Sequence, residues 1–457
     1  MTTPLKTPPI KPSDAAPKKP DVPSVSLKRL AVTGSAWVML GFGVGQVLRL
    51  VGNVILTRLL SPDAFGMMGI VGTVRAGLGM FSDIGLRPNI IQNKRGEEPT
   101  FLRTAWTMQV IRGIILAVLA AALAWPMAIL NNEPRLFLII SVAGLTSVIS
   151  GFNSTWLLVY SRRIALAPVT ILGLITHFLS LIAMVTYAWY FHTVWALVLG
   201  GFVGSIITLI ASHTVLAGIV QMRFQWEPEA VRELFRFGRW IFISTALGFL
   251  TNSLDVLILG SFAGMSVLGF YVLAKNISRI MQQALMTISS KILLPVYSRL
   301  VEHGTKKLRS RMFKVRAILL AVSLPPIWAL TLWGDYLIAL LYDDRYQDAG
   351  WMLQILSAGS IALAIRATIG PVLLAVGDSF RQMINIAIRL ALQIIGMAAG
   401  AYIAGTPGFF VGLALSEWLS YPVLVYLIRP YGVWRPLLDV LAFGSSFIVV
   451  GIAIWLN

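Results

Sequence analysis

Apolar runs of about 20 residues recur along almost the whole of this 457-residue chain. In helical form each matches the thickness of a bilayer's hydrocarbon core, so the runs read as transmembrane helices. They fall near residues 31–58, 64–86, 104–129, 136–160, 165–190, 194–219, 240–263, 267–294, 313–334, 351–376, 380–404, 408–428 and 437–456. Composition agrees: 57% of residues are apolar, 12% are charged and the mean hydropathy is +0.79. A soluble domain is about 45–50% apolar and about 25% charged. The expected fold class is an all-α polytopic membrane protein.

The formal charge of +18 would suggest a nucleic-acid partner in a soluble protein, but its distribution excludes that reading. With the N-terminus in the cytoplasm, the tail, the even-numbered connections and their flanks carry 27 of the 37 Lys and Arg. Three (Arg58, Arg135, Arg345) lie on the outer side, beside six acids: Asp63, Glu133, Asp335, Asp343, Asp344 and Asp348. This positive-inside asymmetry sets the expected orientation. The connection 291–316 alone holds eight basic residues, read as a topology determinant and lipid-headgroup contact. Residues 1–29 are Pro- and Lys-rich without an apolar core, and read as a disordered cytoplasmic tail. The chain has no cysteine, which excludes disulfides, thiolate metal sites and thiol nucleophiles.

Residues 221–239 read as an amphipathic interfacial linker, with Phe224, Trp226, Leu234 and Phe237 set against Arg223, Arg232, Arg236 and Arg239. The linker divides an N-terminal six-helix lobe (30–220) from a C-terminal one (240–429), leaving an extra C-terminal span in 430–457. A shift of 203 residues places Trp37 on Trp240, Gly45 on Gly248, Ile55-Leu56 on Ile258-Leu259 and Phe65-Gly66 on Leu268-Gly269. Six spans per lobe give both repeats the same topology, so the expected relation is an axis along the membrane normal.

Seven bases interrupt the apolar spans: Arg49, Arg75, Arg112, Lys275, Arg279, Arg366 and Arg389. A charge at that depth costs at least ~2.5–3.5 kcal/mol, so such residues face a polar cavity, a partner or a substrate. Three acids, Asp83, Asp255 and Glu417, lie at comparable depth, leaving an excess of four positive charges. Helical spacing aligns Gln46, Arg49 and Asn53; Ser244, Gly248, Thr251 and Asp255; Lys275, Arg279 and Gln282/Gln283; and Asn385, Arg389 and Gln393. These stripes suggest walls of a shared cationic cavity, with Arg49, Arg75, Lys275, Arg279, Arg366 and Arg389 as substrate-binding candidates. Arg112 lies near a helix end, where it can snorkel. The competing reading is helix glue, closing Asp255 on Arg49 and Glu417 on Arg366 or Arg389. Asp255, Glu417 and Asp83 are candidates for coupling to an ion gradient, although Asp83 suits a capping or turn role equally well.

No Gly-rich phosphate-binding loop, Asp-x-Asp pair or metal-ligand spacing occurs, so no catalytic residue, metal or cofactor is assigned and the chain does not read as an enzyme. Beside this stands a resemblance. Ile55-Leu-Thr-Arg-Leu-Leu-Ser-Pro-Asp-Ala-Phe-Gly66, Phe81-Ser-Asp-Ile-Gly85 and Ile90-Ile-Gln-Asn-Lys94 resemble the opening of the polysaccharide-exporter family. These are lipid-linked oligosaccharide flippases of the multidrug/oligosaccharidyl-lipid/polysaccharide superfamily. Leu268-Gly-Phe-Tyr-Val-Leu-Ala274, Leu294-Pro-Val-Tyr-Ser-Arg299 and Leu340-Leu-Tyr-Asp-Asp-Arg-Tyr346 agree with it.

The resemblance implies a two-lobed bundle around a central cavity in the bacterial inner membrane. Such a protein moves a polyprenyl-pyrophosphate-linked oligosaccharide outward by alternating access, with membrane lipids, glycosyltransferases and a polymerase as partners. The family shows twelve or fourteen spans where thirteen are counted here. Three readings compete. A drug/cation antiporter predicts acid-dominated clefts, a membrane glycosyltransferase or polymerase predicts a large acidic outer loop, and a non-transporting scaffold predicts neither.

Overall fold

The computed structural model describes residues 27–81, 86–288, 293, 297, 305–432, 434 and 436–456, and within these every regular element is helical. The first half of the chain contains α1 (Leu27–Leu59), α2 (Pro62–Phe81), α3 (Leu86–Gln92), α4 (Pro99–Leu130), α5 (Arg135–Gly151), α6 (Trp156–Arg162), α7 (Leu166–Phe191) and α8 (Trp195–His213). The second contains α9 (Pro228–Ala263), α10 (Met265–Ile288), α11 (Thr305–Leu341), α12 (Ala349–Ile369), α13 (Pro371–Ala375), α14 (Ser379–Ile428) and α15 (Pro436–Leu456). Proline opens five of these helices, where its missing N–H is no loss. Asp378 caps α14 by accepting from the Arg381 N–H at 2.9 Å.

Each of the thirteen expected spans falls on a helix, but the elements are not thirteen simple rods. Among the described residues eight helices are long and apolar enough to cross a membrane, or nine if the bent pair α5–α6 counts as one span. The axes of α5 and α6 differ by 67° across residues 152–155. α14 is two antiparallel legs, because Ala404 and Gly405 leave helical geometry and Gly405 adopts φ +62°. Beyond that reversal Gly396 lies against the Gly412 backbone and Gly400 against Gly408, a closeness only glycine permits. The outward surface is apolar, as for a lipid-facing wall: Val47, Val118, Trp189, Leu441 and Ile448 are all exposed.

The expected linker takes a different form. Residues 220–227 are irregular, and α9 runs unbroken from Pro228 through the expected linker into the seventh span. No proline interrupts that stretch, and one glycine costs a helix only about 1 kcal/mol. Ala230 and Leu234 are fully buried against Leu86, Ile90, Phe101 and Trp156 of the first half. Arg95 bridges Glu98, Glu227 and Glu233, and Arg163 pairs with Glu97. Residues 1–26 of the tail, and 291–292, 294–296 and 298–304 of the basic connection, lie outside the described residues. α15 is fixed to the second half by Arg316, whose guanidinium holds Asp439 in a buried pair and also bonds Thr368 Oγ1 at 3.1 Å. Arg316 is thus a structural partner rather than a headgroup contact.

The two halves meet where α2 packs against α10, and the contact is reciprocal. Gly66 lies against the Met265 backbone, Gly269 lies against Pro62, the Ser266 hydroxyl donates to Asp63 and Gly69 faces Val272. Each of these contacts pairs sequence positions related by the 203-residue shift, or a position with the counterpart of its own contact. At this end both halves share one core, joining Leu60, Phe65 and Ile70 to Leu268, Tyr271, Tyr346 and Phe410. At the opposite end the cores are separate: one holds Leu86, Ile90, Trp156 and Leu234, another Leu293, Tyr297, Val372 and Ile428.

Candidate functional site

Turn geometry assembles the charged residues of the second half. Gly264, at φ +82°, reverses the chain between α9 and α10. Asp255 and Lys275 stand nine and eleven residues either side of it, so a rise of about 1.5 Å per residue brings them to similar heights. Lys275 Nζ and the Tyr271 hydroxyl both donate to Asp255 Oδ2. Lys275 also donates to the Asn252 carbonyl (3.1 Å), as does Arg279 (2.6 Å). Asp255 therefore pairs with Lys275 and not, as the helix-glue reading had it, with Arg49, which lies on α1 in the other half of the chain.

The hairpin inside α14 builds the second cluster. Arg389 and Gln393 rise on its first leg and meet Glu417 on the second. Arg389 forks onto Glu417 with bonds of 2.6 and 3.0 Å, and Gln393 donates at 2.9 Å. From α12, Arg366 reaches Glu417 at 3.4 Å, Asn385 Oδ1 at 3.3 Å and the Ser420 hydroxyl, while its Nε is buried without a partner. Glu417 is thus shared by two arginines.

Both clusters face one cleft. Asp255, Lys275, Arg279, Arg389 and Glu417 line a narrow cavity of about 80 Å³ with Ser278, Gln282 and Ser360. It adjoins a chamber of about 330 Å³ bounded by Thr251, Asn252, Arg366 and Asn385 that extends to Gln382 and Leu374. Four bases and two acids meet there. A further cavity in the second half, about 780 Å³, is mainly apolar, is lined by Trp351, Trp418 and Phe447, and includes none of the candidates.

The remaining candidates lie elsewhere. Arg49 faces a groove between α1 and α7 beside His177. Arg75 and Arg112 line a cavity of about 610 Å³ inside the first half, where Arg112 donates to the Gly79 carbonyl at 2.7 Å. The six candidate bases therefore occupy three hollows rather than one. Asp83 lies outside the described residues. Among the described residues no group of His, Cys, Asp and Glu could hold a metal ion. Tyr271, Asn252 and Ser360, which serve the cleft, were not singled out by sequence.

Residues 55–350 match the family model described as "Polysaccharide biosynthesis protein". That is well over half of the chain. The chain belongs to this family. It is similar to the lipopolysaccharide biosynthesis protein WzxC of Escherichia coli K12, being 22% identical over 94% of this chain and 85% of WzxC. It is also similar to the succinoglycan biosynthesis transport protein ExoT of Rhizobium meliloti, 23% identical over 71% of this chain and 65% of ExoT. Among solved structures it shares its fold with the lipid II flippase MurJ in an inward closed conformation (TM-score 0.67, 12% identity, 92% of this chain and 98% of that one). A multidrug resistance MATE family transporter of the MOP superfamily, inward-facing, has the same fold (TM-score 0.65, 13% identity, 85% and 94%). The chain is a multi-pass membrane protein, and the polysaccharide-exporter resemblance read from its motifs agrees with this family.

Proposed function

We propose that this protein moves a polyprenyl-pyrophosphate-linked oligosaccharide across the bacterial inner membrane by alternating access, with its N-terminus in the cytoplasm. The observation that carries the reading is the cleft in the second half, where Lys275, Arg279, Arg366 and Arg389 outnumber Asp255 and Glu417. A pyrophosphate needs cationic donors in a water-poor setting, and arginine supplies them as a planar fork. An antiporter for cationic drugs would need the opposite balance, so the shared fold does not favour that reading. The two sequence repeats act as lobes. Their common core at the Asp63 end and separate cores at the linker end fit a state closed to the outside and open to the cytoplasm. Asp255 and Glu417 hold the cleft bases in the empty state and release them to the phosphates; each freed carboxylate then takes a proton or Na⁺.

The test is the carrier-linked intermediate. Cells lacking the protein should accumulate polyprenyl-linked oligosaccharide on the cytoplasmic face, and Arg279→Ala or Arg366→Ala should reproduce this in protein that still inserts. Loss of surface polysaccharide without accumulation of that intermediate would exclude the flippase reading.

A further inference from the structure

The hollow inside the first half has a chemistry distinct from the cleft. Its walls come from α2, α4, α5, the break at residues 152–155 and α6. Arg75 enters from α2, and its head reaches towards Gly201 of α8. Arg75 has no hydrogen-bond or ion-pair partner among the described residues, and no carboxylate is among the described residues that line the cavity. A cation at this depth, about 20 Å along α2 from Pro62, is costly unless something anionic or strongly polar meets it.

Opposite Arg75 the wall is polar, and its one described charge, Arg112, is turned onto the Gly79 carbonyl. The break between α5 and α6 frees backbone carbonyls, and Gln109 Nε2 ties three of them, at Ser150, Gly151 and Asn153, with bonds of 2.9–3.4 Å. Ser147, Ser150 and Ser154 line the same space. Asn153 lines the same space, and its Oδ1 is left without a partner, an acceptor that a turn of the amide would offer to a ligand's hydroxyl. An unpaired guanidinium, with a second one held on a backbone carbonyl, facing serines and an amide matches a sugar ring that carries a carboxylate. The volume of about 610 Å³ is that of a small-molecule pocket.

We infer that this hollow is a saccharide subsite that selects an acidic sugar, a hexuronate, in the transported oligosaccharide, with Arg75 on the carboxylate and Asn153 with the serines on the ring hydroxyls. The inference rests on the flippase reading for its ligand's origin, and it separates two tasks: the second half holds the carrier phosphates and the first half reads the sugar.

Binding of D-glucuronate to the intact protein in nanodiscs, followed by saturation-transfer NMR with methyl glucoside and inorganic phosphate as competitors, tests it. Wild type should bind glucuronate saturably and at least tenfold more tightly than methyl glucoside. Arg75→Gln should lose that preference, and Arg75→Lys should keep part of it. Asn153→Ala should weaken glucuronate and methyl glucoside alike. Arg135→Gln, at the exposed start of α5, should bind as wild type does. Unchanged glucuronate binding in folded Arg75→Gln would overturn the inference, as would phosphate displacing glucuronate at equal concentration, since the pocket would then read charge alone. Failure of the flippase reading looks different: glucuronate would still bind, while cells lacking the protein accumulated no carrier-linked oligosaccharide.

Discussion

Tyr346 is the side chain on which the closed end most visibly depends. Its hydroxyl donates to the Leu60 carbonyl at 2.9 Å, joining the loop after α11 to the end of α1. Its ring is wedged edge-on between Phe65 (5.8 Å) and Phe270 (6.1 Å), one from each half. Tyr346→Phe removes the hydrogen bond and keeps the wedge. A net hydrogen bond contributes about 1 kcal/mol, and the Leu60 carbonyl would be left buried. If opening this end breaks the bond, the open population should rise about fivefold, since about 1.4 kcal/mol is tenfold. Tyr346→Ala also removes the ring, at about 3–5 kcal/mol, and should leave the end largely open. The absence of cysteine makes the assay clean. Ala64 is 3% exposed and lies in the shared core, so in Ala64→Cys the rate of maleimide labelling reports opening. Equal labelling rates in the Tyr346→Phe and parent backgrounds would refute the idea that opening separates Tyr346 from Leu60.

Three further outcomes follow from other contacts. Gly66→Val and Gly269→Val each place a side chain against the opposing backbone, and reciprocal packing predicts similar increases in Ala64→Cys labelling; a strong effect from only one would argue against the repeat axis. Asp439→Leu should lower thermal stability by about 3–5 kcal/mol by stranding the Arg316 charge, and Arg316→Met with Asp439→Leu should recover most of it; an additive loss on denaturation would contradict this. Glu97 and Glu98 are held below the usual carboxylate range by hydrogen bonds from Arg163 and Arg95, so their stabilisation is present above about pH 4.3 and fades as pH falls through the depressed values. A nitroxide at Glu229→Cys should keep its mobility from pH 7 to about 4.3 and loosen only below; loosening at pH 6 would exclude these carboxylates.

What the sequence disclosed follows from how local each signal is. Span positions were legible because hydrocarbon thickness dictates run length. The Glu417 partners were legible because two helical legs folding back at Gly405 place residues 393 and 417 at equal distances from it. The same geometry at Gly264 sets Asp255 beside Lys275, whereas depth alone also admits Arg49, a base on another helix. Asp439 gave no sign of burial, since an acid in a first helical turn reads as an ordinary cap and Arg316 is 123 residues away. The separate hollow around Arg75 was also hidden. Stripe position shows that a residue faces polar space, and says nothing of how many such spaces there are.

The placement of the ion pairs bears on how coupling can work. Among the described residues the buried pairs, Asp255–Lys275, Glu417–Arg366, Glu417–Arg389 and Arg316–Asp439, all lie within the second half of the chain. Apart from the part-exposed Arg95–Glu233 pair at the foot of α9, the contacts that join the halves are of another kind: Tyr346 and Arg345 on carbonyls of α1 and its end, Ser266 on Asp63, Gln46 on Gln283 and the glycine crossing. In the proposed cycle, rocking of one lobe against the other therefore breaks neutral or singly charged hydrogen bonds, each contributing about 0.5–3 kcal/mol, and leaves the costlier buried pairs whole. The carboxylates then cannot sense rocking by being pulled from their partners. They can sense only what enters the cleft, where an anionic ligand competes for Lys275 and Arg389. Ion uptake in such a cycle follows ligand binding, and gradient dependence should vanish when the cleft is empty.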